Sequence, residues 1–136
     1  MLAQNYFNRL SVHGVEIDVH DGGTGNPILV LHGENGPAFE AAVWLKLEEQ
    51  GRVLVPTHPG YDQSPERTDI DTVDDLAYLY LDLLDTLNLE NVVVVGASLG
   101  GWIAAEMAIK STARIERLIL IAPVGIKVGD RETRDI

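Results

Sequence analysis

Val92-Val93-Val94-Val95-Gly96-Ala97-Ser98-Leu99-Gly100-Gly101-Trp102 is the stretch on which the reading of this chain turns. Four consecutive valines have the pattern of a strand buried on both faces, and the residues from Leu99 to Lys110 have helical spacing. Between them lies G-x-S-x-G, so a serine sits on a sharp strand-to-helix turn. Such a turn strains the backbone of its central residue and leaves no room for side chains two positions before and after it. Gly96 and Gly100 meet that requirement. The Ser98 hydroxyl is thereby offered at a helix N-terminus, where the Leu99 N–H and the helix dipole can stabilise an oxyanion as charge develops. Gly101, Ala104, Ala105 and Ala108 make a small-residue face that lets the helix lie close to a sheet. A dinucleotide-binding G-x-G-x-x-G is the rival reading. Ser98 stands where that motif needs its middle glycine, and the acid expected about 20 residues on is missing from Leu118-Ile119-Leu120-Ile121-Ala122.

Outward from this segment the elements alternate. Phe7 to Val12 and Val15 to His20 read as two strands joined through His13-Gly14, followed by a loop over Asp21 to Pro27. Ile28 to Leu31 is a continuous apolar run that ends in His32-Gly33-Glu34-Asn35-Gly36-Pro37. A helix is expected from about Ala38 to Gln50, stopped by Gly51. Val53 to Val55 is the next buried strand, and the loop from Pro56 to Glu66 is too polar for a core. Thr72 with Asp75 predicts a capping box that opens a helix to about Leu87, with Leu76, Tyr80, Leu83, Leu84 and Leu87 as its apolar stripe. Leu118 to Ile121 is a further buried strand. Strands without alternation, separated by helices, predict an α/β fold: a mostly parallel sheet with helices on both faces. Functional groups are then expected at the C-terminal strand ends.

Composition narrows the function classes. The chain has 136 residues, 46% of them hydrophobic, with 10 Lys and Arg against 21 Asp and Glu for a net charge of −11. At this length a domain buries roughly 68% of its unfolded surface, so one core forms without staples. Zero Cys rules out disulfides, thiolate zinc sites and Cys nucleophiles. An acidic surface repels phosphate backbones and anionic lipid, which argues against nucleic acid and membranes as partners. The longest apolar run, Leu118 to Val124, is too short for a membrane span, and no signal segment is visible, so a cytoplasmic location is the default expectation. Between Asp62 and Glu90 lie nine acids and only Arg67, read as a loop and the solvated face of one helix rather than a docking face.

Three motifs, in order, resemble those of the α/β-hydrolases, the serine type that cleaves esters and amides. Leu31-His32-Gly33-Glu34-Asn35-Gly36 is similar to the family's HG-x-x-G loop. His58-Pro59-Gly60-Tyr61-Asp62-Gln63-Ser64 resembles its P-G-aromatic-G-x-S loop, with Asp62 in place of the second glycine. Ser98 lies in the nucleophile elbow, which Gly96 and Gly100 support. The resemblance covers nearly the whole chain and implies about strands 1–6 of the fold, residues 1–136 being the N-terminal part of the core domain and 124–136 the start of a lid connection. It further implies an acyl-enzyme on Ser98, an oxyanion hole made by the N–H groups of Glu34 and Leu99, with Asn35 the second choice for Glu34, and His32 and Gly33 as loop-shaping residues. The substrate would be a small acyl compound, and no metal or organic cofactor would be needed.

The family's order is Ser, then Asp or Glu, then His, and the last two positions have no match in this chain. His32 reads as a hydrogen-bonded residue of the HG turn, His58 as a loop residue near the site's edge, and His13 and His20 as hairpin residues. Asp130, Glu132 and Asp135 fall in a polar tail. A chain without the base is expected to be inactive or weak. Trp44, Trp102 and Tyr61 read as packing residues. Leu118 to Ile121 is expected to leave an apolar sheet edge through which two chains could associate. The reading from a different class is a non-catalytic binding module that keeps the pocket and has lost the base.

Overall fold

A computed structural model describes residues 6–125. The elements are β1 (Asn8–Val12), β2 (Val15–Gly22), β3 (Pro27–Leu31), a 3₁₀ turn (Pro37–Glu40), α1 (Ala41–Leu47), β4 (Arg52–Pro56), α2 (Val73–Thr86), β5 (Val92–Ala97), α3 (Leu99–Lys110) and β6 (Ile115–Ile121). They build one sheet in the order β1-β2-β4-β3-β5-β6. The β1–β2 and β2–β4 pairs are antiparallel, and the β4–β3, β3–β5 and β5–β6 pairs are parallel. No helix among the described residues is long and apolar enough to cross a membrane. The tail acids Asp130, Glu132 and Asp135, and the expected lid connection beyond Gly125, lie outside the described residues.

Both faces of the central strands are apolar because successive side chains point to opposite sides. Leu29, Leu31, Leu54, Val92 and Val94 join one cluster with Leu79, Tyr80, Leu83 and Leu84 of α2 and Ile103, Ala104 and Met107 of α3. Ile28, Val30, Val53, Val55 and Val95 join the other, under Trp44 of α1. The unalternating strands of the sequence are thus covered by helices on both sides, as expected for a largely parallel sheet.

The expected helix over 38–50 is shorter and broken. Gly36 has φ 83°, Pro37 follows it, and the first turn closes as a 3₁₀ turn before α1 begins at Ala41. The break turns Trp44 inward, where its indole N–H donates to the Pro37 carbonyl at 2.9 Å. In α2 the capping box is present: the Thr72 hydroxyl accepts from the Asp75 N–H at 3.0 Å, and the Asp75 carboxylate accepts from the Thr72 N–H at 3.3 Å. Ala77 and Leu79 join its buried face, whereas Leu76 and Leu87 are only partly covered. On the acidic outer face, Asp74 pairs with Lys110, Asp85 with Arg114 and Asp82 with His13.

Two expectations about burial fail. β6 starts at Ile115 and lies at the sheet edge; Leu118 and Leu120 pack toward the larger cluster, but Ile119 and Ile121 are 42% and 47% exposed. The apolar run therefore marks a strand with one covered face among the described residues. In the other direction, the loop after β4 is not too polar for a core: Thr57, His58 and Ser64 are all buried. They are buried because they satisfy one another. The Ser64 hydroxyl donates to the Thr57 carbonyl at 2.8 Å and accepts from the Asp18 N–H at 2.9 Å.

His58 and His32 stack with ring centroids 3.6 Å apart beneath the C-terminal strand ends. Their partners set both tautomers. His58 Nε2 donates to the His32 carbonyl at 2.8 Å, while its Nδ1 takes the hydroxyl of the fully buried Tyr80. His32 Nδ1 donates to the Gly33 carbonyl at 2.7 Å, and its Nε2 accepts the His58 N–H at 3.0 Å. Each ring is neutral, with one nitrogen donating and the other accepting. Burial holds the His32 pKa down at about 4 and pushes His58 well below the ordinary histidine range, with the proximity of His32 adding to the shift.

The glycines between β5 and α3 bring helix and sheet together. A Cβ on Gly96 would collide with the Gly100 carbonyl and lie 2.7 Å from Gly101 Cα. One on Gly100 would collide with the Leu31 carbonyl oxygen at the end of β3 and lie 2.9 Å from that of His32. These obstacles are backbone and cannot rotate away. Gly100→Ala is therefore expected to lower stability by about 2–3 kcal/mol, read as a fall in the urea midpoint; an unchanged midpoint would mean that α3 lies farther from β3 than described. The histidines make a second prediction. The unfolded chain binds protons at histidine from about pH 6.5 downward, whereas folded His32 does so only near pH 4. Stability is thus complete above pH 6.5 and falls as pH drops toward 4, by about 3 kcal/mol from His32 alone. Urea midpoints measured from pH 7.5 to 4.5 should decline through that window, and a flat profile would contradict the buried neutral pair.

Candidate active site

The loops that follow β3, β4 and β5 converge at one end of the sheet, and Ser98 stands where they meet. The strand-to-helix turn imposes φ 54° and ψ −114° on Ser98, a conformation that L residues avoid and that the surroundings must enforce. They do so through the backbone. The Ser98 N–H donates to the Ile121 carbonyl at 2.9 Å, and the Ser98 carbonyl accepts from the N–H groups of Gly101 and Val124 at 3.0 and 3.2 Å. β6 thereby clamps the elbow from the side. Leu99 opens α3, so its N–H is one of the first-turn donors that no carbonyl within the helix can satisfy.

The HG loop lies directly over this turn. A Cβ on Gly33 would stand 3.2 Å from Ser98 Cβ and 3.3 Å from the Ala97 carbonyl, tighter than ordinary contact, so the Gly33 backbone rests on the serine. His32 is buried, and its Nδ1 is bonded to the Gly33 carbonyl within the turn. The Gly36 N–H closes the loop onto the Gly33 carbonyl at 3.2 Å. His58 departs from the expectation of a residue at the site's edge: it is fully buried, held by the groups described above. Tyr80, read from its spacing as one member of an apolar stripe, supplies the polar partner that makes this burial possible. Asp62, which replaces a family glycine, has φ 46° and so keeps the left-handed backbone that a glycine would adopt freely. Tyr61 stands edge-on to His32 with centroids 5.0 Å apart, and Trp102 packs against Gly125.

One contact at the serine is not visible in any motif. The Ser98 hydroxyl points at the carboxylate of Glu34, with Oγ 2.9 Å from each carboxylate oxygen. Glu34, expected to offer its backbone N–H, reaches the serine with its side chain as well. A second acid stands behind it. Glu40 Oε1 accepts from the Gly33 N–H at 3.4 Å, and Glu40 Oε2 is buried with no partner among the described residues. Burial pushes the Glu40 carboxyl up from the ordinary range, and the nearby Glu34 charge adds to the rise. Of the histidines, His20, His32 and His58 have both ring nitrogens engaged, His20 with the Tyr6 carbonyl and the Glu48 carboxylate. His13 pairs with Asp82 at the hairpin. Among the described residues no group of three or more His, Cys, Asp or Glu is placed to hold a metal ion.

This geometry can be set beside known proteins. Residues 24–132 match the model of the alpha/beta hydrolase fold family. The chain is 34% identical over 120 residues to a 2-hydroxy-6-oxo-2,4-heptadienoate hydrolase of Pseudomonas putida, covering 83% of this chain and 43% of that protein. It is 33% identical over 128 residues to a 2-hydroxymuconate semialdehyde hydrolase of a Pseudomonas species, covering 90% of this chain and 45% of that protein. Among solved structures, an esterase from Exiguobacterium antarcticum superposes with a TM-score of 0.78 at 27% identity, over 88% of this chain and 45% of its own. The chain thus spans a little under half the length of these relatives. The match over most of the chain, the strand order and the Ser98 turn agree, and the chain belongs to the alpha/beta hydrolase fold family.

Proposed function

We propose that this chain carries the nucleophile-bearing part of a serine hydrolase that attacks a carbonyl carbon. The observation that supports it most is the strained Ser98, set at the N-terminus of α3 with the Gly33 backbone against it. In this reading Ser98 Oγ adds to the carbonyl, and the oxyanion is received by the N–H groups of Leu99 and Glu34. The leaving group departs, and water then hydrolyses the acyl-enzyme. Three relatives support a carbonyl substrate by name, being an oxo-dienoate hydrolase, a semialdehyde hydrolase and an esterase. An ester or related acyl bond is the proposed target.

Attack requires an acceptor for the serine proton. The buried histidines are committed to other partners, so we place the base on a histidine, and its orienting acid, in the part of the relatives' length that this chain does not span. That matches the order nucleophile, acid, histidine. A second reading, a binding module without catalysis, is favoured by one observation: the group that meets the Ser98 hydroxyl among the described residues is a carboxylate and not an imidazole. An alkyl fluorophosphonate separates the two readings. In the whole protein we expect labelling at Ser98 far faster than at Ser11, Ser64 or Ser111, and Ser98→Ala should reduce hydrolysis of an aryl ester by at least about 10³-fold. Labelling at Ser98 no faster than at the other serines would favour the binding module.

A further inference from the structure

We propose that Glu34 selects substrates by charge, favouring acyl compounds with a cationic group near the scissile carbonyl and disfavouring those with an anionic one. The proposal rests on the reading of Ser98 as nucleophile. The reacting oxygen donates to both Glu34 carboxylate oxygens at 2.9 Å, so the charge lies within hydrogen-bonding distance of the atom that must meet the substrate. A carbonyl carbon that approaches Oγ has to take up space beside that carboxylate. The displaced Glu34 side chain is tethered one residue from Gly33, whose backbone touches the serine, so it stays beside the incoming acyl group.

Among the described residues no Lys or Arg pairs with this charge. Their ion pairs lie elsewhere, at Glu16, Asp18, Asp21, Glu49, Asp69, Asp74, Asp85, Glu90 and Glu106. Two further acids stand at the HG loop. Glu40 is bound to the Gly33 N–H, and the Asp62 carboxylate lies 3.8 Å from the position a Cβ on Gly36 would take. During attack the carbonyl oxygen becomes negative, which an unpaired carboxylate opposes. A cation on the substrate relieves that repulsion by pairing with Glu34, whereas a carboxylate on the substrate adds to it.

The test uses the whole protein and three alkyl fluorophosphonates that differ only in the terminal group of one short chain: trimethylammonium, tert-butyl or carboxylate. The second-order rate of labelling at Ser98 is measured for each. The ammonium probe is expected to react about tenfold faster than the carboxylate probe, with the tert-butyl probe between them, as attraction and repulsion at an exposed charge together supply. In Glu34→Gln, which keeps the backbone N–H and the side-chain shape, the ratio should fall to within twofold of unity. A ratio that survives this substitution overturns the proposal while leaving Ser98 as the nucleophile. Absence of Ser98 labelling by all three probes overturns the nucleophile reading and the proposal with it. Should Glu34→Gln fail to fold, the native protein decides: raising ionic strength from about 0.05 to about 0.5 M, which shortens the Debye length roughly threefold, must shrink the ratio at least about twofold, and a salt-independent ratio overturns the charge mechanism.

Discussion

The close approach of α3 to the ends of β3 and β5 is the constraint on which the rest of the structure depends. Helix and sheet can touch there because Gly96 and Gly100 present only hydrogen where a methyl group would strike backbone carbonyls. That contact makes the turn between β5 and α3 too tight for a relaxed residue, and Ser98 takes the strain. The same contact sets Leu99 at the first position of α3, where no carbonyl within the helix can take its N–H. Strain at the serine and the helix-opening Leu99 N–H beside it are two results of one packing decision.

The loop end of the sheet is electrostatically divided. Beneath it, His32, His58 and Tyr80 form a neutral hydrogen-bonded stack whose tautomers are set by backbone carbonyls and one hydroxyl. Above it, the exposed Glu34 carboxylate meets the Ser98 hydroxyl, and the half-buried Glu40 carboxylate meets the Gly33 N–H. The buried stack holds the HG loop and the loop after β4 in one arrangement, because each donor and acceptor is used once and a slip of either loop would leave polar atoms unpaired away from water. The position of Gly33 over Ser98 follows from that lock, and with it the reach of the Glu34 side chain. On the proposed serine-hydrolase reading, a carboxylate beside the developing oxyanion is a conflict that a cationic substrate would remove.

Much of the fold was legible because its signals are local. Unalternating valine and leucine runs announced strands covered on both sides, and Thr72 with Asp75 announced the start of α2, each from residues within a few positions of one another. The failures were also physical. The helix after Gly36 was overextended because Pro37 tightens the first turn into a 3₁₀ form, an effect of backbone geometry that apolar spacing does not register. β6 is apolar in composition and is expected both as a buried strand and as a sheet edge; it lies at the edge of the described sheet, and its burial depends on what stands beside it, on which composition is silent. The loop after β4 was read as solvated because it is polar, yet Thr57, His58 and Ser64 are buried where they find partners on β2, α2 and the HG loop.

The sequence by itself determined the elbow, the place of Ser98 on it and the parallel character of the sheet, since these follow from steric demands between near neighbours in the chain. Tertiary structure alone decided that Glu34 meets Ser98 across 64 residues, that Tyr80 completes His58 across 22, and that β4 lies between β2 and β3. Those pairings depend on how separate loops converge once the sheet has formed. A side chain's type states what it can bond to, and only the folded chain states which partner comes within reach.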